Sequence, residues 1–127
     1  MNFRFGHTSI RVFDLDKSLE FYVGALGMKE TRRKDYPGDF CLVFLEDVNK
    51  TCEVELTYNY DPEKPYEIGN GFAHLAFYVE DLEAAHDELA KKGYKVTDFY
   101  GLKGNKPNYF FVTDPDGYDI EIIREKK

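Results

Sequence analysis

The sequence predicts an α+β fold of two paired βαβββ modules whose mixed sheets form cups. Three observations predict it. "HTSIRVFDL", starting at His7, is echoed by "HLAFYVEDL", starting at His74, so that Val12, Asp14 and Leu15 recur as Val79, Asp81 and Leu82, 67 positions later. "VEL" at 54–56 recurs as "IEI" at 120–122, 66 positions later. Between these anchors each half runs through the same patterns in the same order: an alternating stretch, a stretch with helical spacing, then three more alternating stretches.

Residues 3–12 read as the first strand. Residues 16–25 read as a helix with Leu19, Phe21, Tyr22, Val23 and Leu26 on its apolar side. Asp14 or Asp16 can cap it and Gly27 can end it. Strands follow at about 28–36, 40–46 and 52–59, with "YPGD" at 36–39 as the turn between the first two. In the second half, 71–79 reads as a strand. Residues 81–92 read as a helix carrying Leu82, Ala85 and Leu89 and stopped by Gly93. Strands are expected at 94–100, 109–113 and 118–124, the last two joined by "DPDG". "NYDPEKPYEIGNG", 59–71, holds two prolines and reads as the linker. The expected organisation is one domain over 1–127 made of two repeats, about 1–60 and 71–127, joined at about 60–70.

Composition narrows the function. A half of about 60 residues buries too little surface to be stable alone, so the halves are expected to share a core, within one subunit or across a dimer. Ten Tyr and eleven Phe supply apolar bulk. A net charge of −7 argues against nucleic acid and anionic membrane surfaces as partners. No apolar run is long enough to span a bilayer and no secretory leader is visible, so a cytoplasmic protein is expected. Cys41 and Cys52, with no C-x-x-C, read as two buried free thiols in a reducing compartment.

Strand alternation then places the chemistry. His7, Ser9 and Arg11 share one face. Glu53, Glu55, Thr57 and Asn59 share another, opposite Val54, Leu56 and Tyr58. His74 shares a face with Phe72 and Ala76, and Glu121 lies opposite Ile120 and Ile122. The apolar faces can meet the helices, which leaves the His and Glu face on the inside of a curved sheet. Charge there needs a partner or a wet cleft, because unpaired burial costs several kcal/mol. Two related halves, each giving one His and one Glu, can build a single two-histidine, two-glutamate metal site about a pseudo-two-fold axis. His86, among Asp87 and Glu88, reads as a solvated surface side chain. Tyr22, Tyr78, Phe44 and Phe111 read as core or pocket wall.

At these residues the chain resembles glyoxalase I (lactoylglutathione lyase) of the vicinal oxygen chelate superfamily. The segments that carry the resemblance are "HTSIRVFDLDKSLEFYVGALGMK", "VELTYNY", "GFAHLAFYVEDLEAA" and "DPDGYDIEIIREK". The resemblance implies metal ligands at His7, Glu55, His74 and Glu121. It implies that Arg11 and Asn59 bind the thiol cofactor, glutathione or a similar thiol. It also implies a homodimer in which His7 and Glu55 come from one chain and His74 and Glu121 from the other. The chain lacks the extensions of the longer zinc-using members and resembles the short bacterial form, which implies nickel or cobalt. Basic residues that longer members place around the glycyl carboxylate are not matched: Asn70 and Pro107 stand there, with Lys103 and Lys106 nearby. "GLKGNK", 101–106, reads as a lid over an anionic thiol or as a plain connecting loop.

The implied reaction is isomerisation of the methylglyoxal–thiol hemithioacetal to S-D-lactoylglutathione. The proton is shuttled by a carboxylate, Glu121 first, with Glu55 as its counterpart on the other face. Two imidazoles, two carboxylates and two waters make an octahedral donor set that suits nickel or cobalt better than tetrahedral zinc. Other readings of the same fold stay open. Extradiol dioxygenases and fosfomycin-type thiol transferases use two His and one Glu, and Glu55 within "ELTYN" speaks against both. A metal-free module that sequesters small molecules in an aromatic cleft would leave all four residues idle.

Overall fold

The computed structural model describes residues 1–101 and 106–126. The backbone divides into two units, Met1–Glu67 and Ile68–Lys127.

The first unit contains β1 (Thr8–Arg11), α1 (Leu15–Leu19), a π-helical turn (Glu20–Ala25), β2 (Lys29–Tyr36), β3 (Phe40–Glu46) and β4 (Glu53–Asn59). The sheet order is β1-β4-β3-β2, with β1 parallel to β4 and the other pairs antiparallel. Asp14 rather than Asp16 caps α1: its backbone is extended and its Oδ1 accepts the Lys17 N–H at 3.1 Å. The helix expected over 16–25 widens in its second half, where the Leu26 N–H reaches back five residues to Phe21 O at 2.9 Å. Phe21 and Tyr22, adjacent in sequence, are both fully buried there and meet edge to face at 4.9 Å. Gly27, at φ 79°, ends the helix in the left-handed region that glycine enters without strain.

Alternation sorts this sheet as expected. Val43, Leu45, Val54 and Leu56 are buried, while Glu53, Glu55, Thr57 and Asn59 keep partial exposure. Each fully buried aliphatic side chain contributes about 1.5–3 kcal/mol. The first strand is shorter than the expected 3–12. Phe3 and Phe5 are 90% and 78% exposed, so no burial holds that segment in the sheet. Cys41 is buried as expected, and burial pushes its thiol pKa up. Cys52 is exposed, against expectation, because β4 begins one residue after it.

The second unit contains β5 (Leu75–Val79), α2 (Leu82–Lys91), β6 (Tyr109–Thr113) and β7 (Asp119–Arg124), with sheet order β5-β7-β6 and β5 parallel to β7. It repeats the mixed pattern of the first. Asp81 caps α2 as Asp14 caps α1, accepting the Ala84 N–H at 3.0 Å. The "DPDG" turn is held by buried Asp114, whose Oδ1 accepts the N–H groups of Asp116 and Tyr118, both at 2.9 Å. Glu83 at the start of α2 takes a forked pair from Arg124 at the end of β7, at 2.6 and 3.0 Å. Those hydrogen bonds hold the Glu83 carboxyl down at a pKa of about 2.

Several expectations change here. β5 begins at Leu75 rather than at 71, and Tyr78, expected in the core or a pocket wall, is exposed. The strand expected at 94–100 is reduced to isolated bridges, Val96 with Val112 and Tyr100 with Tyr109. The Phe111 N–H is taken by Thr97 Oγ1 at 3.0 Å, so a side-chain hydroxyl stands where a ladder carbonyl would be. His86 is not a solvated side chain. It is half-buried, its Nε2 lies 2.9 Å from Thr97 O, and its ring meets Phe99 at 4.5 Å and Phe110 at 4.9 Å. Among the described residues no helix is long and apolar enough to cross a membrane.

Candidate metal centre

Parallel pairing of β1 with β4 sets Ser9 beside Glu55. His7, two residues earlier, points to the same face by alternation. Its Nε2 lies 3.0 Å from Glu55 Oε2, with the His side chain 38% exposed and the Glu side chain 12%. The other carboxylate oxygen is braced. Oε1 accepts from Ser9 Oγ at 3.1 Å and from Thr57 Oγ1 at 2.8 Å, and the two hydroxyls lie 2.9 Å apart. Phe44, the neighbour of Glu55 on β3, meets the His7 ring edge-on at 5.4 Å. The Arg32 guanidinium, next in the same row, sits 3.7 Å from the Phe44 ring centroid. Phe44 is therefore buried although it lies on the open face.

The second unit repeats the construction. Parallel pairing of β5 with β7 sets Ala76 beside Glu121, and His74 stands two residues before Ala76. His74 Nε2 lies 3.3 Å from Glu121 Oε1, with side chains 34% and 19% exposed. Phe111, the neighbour of Glu121 on β6, meets the His74 ring at 5.3 Å. The braces are missing. Ala76 replaces Ser9, and Ile123 stands two residues after Glu121 where Thr57 follows Glu55. Among the described residues no hydroxyl holds the Glu121 carboxylate.

Each unit thus gathers its own His and Glu. Among the described residues no set of three or more His, Cys, Asp or Glu comes together to hold an ion. Arg11 pairs in register with Thr57 and so shares the face of Glu55. Asn59 shares it too, and its Nδ2 donates to Tyr66 Oη at 2.9 Å. Lys106 is exposed, whereas Lys103 and the body of the 101–106 loop, with its lid reading, lie outside the described residues. Sequence reasoning put Ser9 and Thr57 on this face but gave them no role. The signal was present, since Thr57 stands two residues after Glu55 and Ser9 two after His7. Arg32 was missed because alternation along one strand does not say which residues lie beside each other across a sheet.

The donors suit a cation. Two ligands at right angles, each about 2.1 Å from one ion, lie about 3 Å apart. The observed separations, 3.0 and 3.3 Å, match that spacing. Both histidines present Nε2.

Residues 4–122 match the family described as the Glyoxalase/Bleomycin resistance protein/Dioxygenase superfamily. The chain is 47% identical over 122 residues to a protein named probable lactoylglutathione lyase from Synechocystis, covering 93% of this chain and 92% of that one. It is 44% identical over 124 residues to the lactoylglutathione lyase of Neisseria meningitidis, covering 94% and 89%. Among solved structures, the trypanothione-dependent glyoxalase I of Leishmania major superposes with a TM-score of 0.83 at 38% identity, covering 98% of this chain and 88% of that one. Glyoxalase I from Zea mays superposes with a TM-score of 0.84 at 37% identity over 95% of this chain, which spans 44% of the maize protein. The chain belongs to the glyoxalase/bleomycin resistance protein/dioxygenase superfamily.

Proposed function

We propose that this chain is a lactoylglutathione lyase, a metal-dependent enzyme that converts the hemithioacetal of methylglyoxal and glutathione to S-D-lactoylglutathione. One observation carries the reading: a His–Glu pair built twice by the same strand pairing, at 3.0 Å in one unit and 3.3 Å in the other. Relatives 40–47% identical over nearly the whole chain carry that activity in their names. A dioxygenase or thiol-transferase reading would leave Glu55 without a role, although two hydroxyls and an imidazole position it.

His7, Glu55, His74 and Glu121 would hold one divalent ion, nickel or cobalt. The pairs that complete one set come from two copies of the chain in a homodimer. Bound there, the ion supplies Lewis-acid stabilisation of the negative charge that builds on two adjacent oxygens. The chain's own residues do the rest. Glu121 takes the proton from the hemithioacetal carbinol carbon and returns it to the neighbouring carbonyl carbon, and the hydroxyl proton passes from the carbinol oxygen to the adjacent oxygen. No oxidant or reductant is consumed, and the product is a thioester. Glu121 suits this role because it must move, and it has the Phe111 ring and Ala76 beside it in place of hydroxyl braces. Glu55, fixed by Ser9 and Thr57, suits a static ligand. Arg11 holds a carboxylate of the thiol by a charge-assisted fork, and Asn59 adds a hydrogen bond.

Metal-stripped protein, reconstituted with nickel, cobalt or zinc, is to be assayed for thioester formation from methylglyoxal and glutathione, with trypanothione as a second thiol. Nickel or cobalt is expected to restore turnover at least tenfold better than zinc. Full activity with zinc alone would overturn the metal assignment. Absence of thioester with every metal and thiol would overturn the activity.

A further inference from the structure

The two units hold the strand under the metal-facing ring in different ways. In the first unit Phe44 lies in β3, which pairs with β2 along its whole length. In the second unit Phe111, the counterpart of Phe44 beside Glu121, lies in β6, whose outer neighbour is the irregular segment 95–100. Three backbone bonds tie that segment to β6: Thr113 N–H to Lys95 O at 3.0 Å, Thr97 N–H to Phe111 O at 2.9 Å and Tyr100 N–H to Tyr109 O at 2.8 Å. A regular antiparallel pair of Thr97 and Phe111 would exchange a bond in each direction. Only one of the two is made. The Phe111 N–H donates instead to Thr97 Oγ1 at 3.0 Å, and Thr97 O stands 2.9 Å from His86 Nε2. A carbonyl oxygen only accepts, so Nε2 carries a proton.

His86 therefore draws away the carbonyl that an ordinary ladder would give to Phe111. The imidazole is set for this by packing. It is half-buried on α2, with Phe99 at 4.5 Å and the fully buried Phe110 at 4.9 Å. The repeat places Leu19 at the matching position of α1, 67 residues earlier, and leucine has no side-chain donor. Both backbone polar groups of Phe111 thus end on Thr97, and the Thr97 carbonyl ends on His86. The Phe111 ring meets His74 at 5.3 Å and neighbours Glu121 across the ladder. Among the described residues Glu121 has no hydroxyl brace, so the place of that ring bounds its swing.

We propose that His86 is a positioning residue for the His74–Glu121 half of the metal site, acting through Thr97 on Phe111. This deepens the lactoylglutathione lyase reading and rests on it for the reaction. With His86 in place, Phe111 is spaced from its neighbour by a hydroxyl. Without the imidazole donor, Thr97 O is free to take the Phe111 N–H and close the ordinary pair. The strand then shifts, and the ring shifts against His74 and Glu121. A displacement of about 1 Å at reacting groups can cost about a hundredfold in rate, so a fraction of that shift is enough to be read.

The test compares four single variants with wild type. His86→Phe keeps a ring between Phe99 and Phe110 and removes the donor. His86→Gln keeps a donor. Thr97→Val removes the hydroxyl. Glu83→Ala removes the fork between α2 and Arg124 and leaves His86, Thr97 and Phe111 untouched. The readouts are steady-state turnover at saturating nickel, calorimetric nickel affinity and the melting temperature of metal-free protein. His86→Phe is expected to lower kcat about tenfold with KM within about twofold, and to weaken nickel about tenfold, the scale seen when a residue that orients a metal ligand is lost. His86→Gln is expected to recover most of both. Glu83→Ala is expected to lower the melting temperature and move neither. Thr97→Val strands the Phe111 N–H while His86 holds the carbonyl, so it is expected to cost about 5 °C alone and about 1 °C in the His86→Phe background. Additive melting shifts overturn the proposal. So do kcat and nickel losses in Glu83→Ala equal to those in His86→Phe, or a His86→Phe protein that matches wild type in both. Coupled melting shifts and weakened nickel, with no thioester formed by wild type, would sink the lyase reading and leave this one standing. A wild type that binds no nickel would sink both.

Discussion

Glu121→Gln is expected to lower kcat about a thousandfold while leaving the fold and the bound metal in place. Glutamine keeps the size of the side chain and an amide oxygen that can still face the ion. What it loses is a basic oxygen that can receive a carbon-bound proton, and general acid–base catalysis of that kind contributes about 10²–10⁴ in rate. The contrast with Glu55→Gln is informative. Glu55 Oε1 is held by Ser9 and Thr57 and Oε2 faces His7, so its freedom to swing toward substrate is small. Glu121 faces His74 at 3.3 Å with Ala76 and Phe111 beside it. Glu55→Gln should therefore retain more activity than Glu121→Gln. Stopped assays on metal-replete protein, with metal content measured on the same samples, decide the point. Full activity in Glu121→Gln with metal bound would move the base elsewhere.

Mixing two inactive variants is expected to restore activity. One chain carries His7→Ala with Glu55→Ala and keeps the His74–Glu121 pair. The other carries His74→Ala with Glu121→Ala and keeps the His7–Glu55 pair. Each alone has no complete quartet. If the pairs meet across a homodimer, each mixed dimer has one intact site of its two. Random exchange of equal amounts then gives about a quarter of wild-type activity, because half of the dimers are mixed and half of their sites are complete. The measurement is thioester formation after unfolding and refolding the two variants together. Recovery above a few per cent supports the exchanged arrangement. No recovery, with refolding confirmed by circular dichroism and mixed dimers by mass spectrometry, would place the whole quartet within one chain.

The parts of this fold that the sequence makes legible are those governed by period and repetition. β3 and β6 occupy the expected residues, and Asp14, one of two cap candidates, caps α1, because alternation and capping are local effects. The His7–Glu55 and His74–Glu121 contacts were legible because one side-chain period, applied to two copies of one pattern, puts each His on the face of its Glu. What escaped depends on tertiary partners. The strand expected at 94–100 is interrupted by a hydroxyl, Thr97 Oγ1, whose choice of the Phe111 N–H cannot be read from spacing. His86 gained its place from Phe99 and Phe110, both distant in sequence. The widened turn at Glu20–Ala25 follows from burying two adjacent rings, a packing demand with no periodic signature. The difference between a braced Glu55 and an unbraced Glu121 lay in Ser9 against Ala76 and Thr57 against Ile123. It becomes chemical only once register sets those residues beside the carboxylates.

Nickel titration of metal-stripped protein, followed by calorimetry, tests the quartet most directly. Wild type is to be compared with His7→Ala, Glu55→Ala, His74→Ala and Glu121→Ala, each confirmed folded. The quartet predicts one nickel per chain in wild type and binding weakened at least a hundredfold in every one of the four variants. A folded variant of any of the four that binds nickel as tightly as wild type would contradict it.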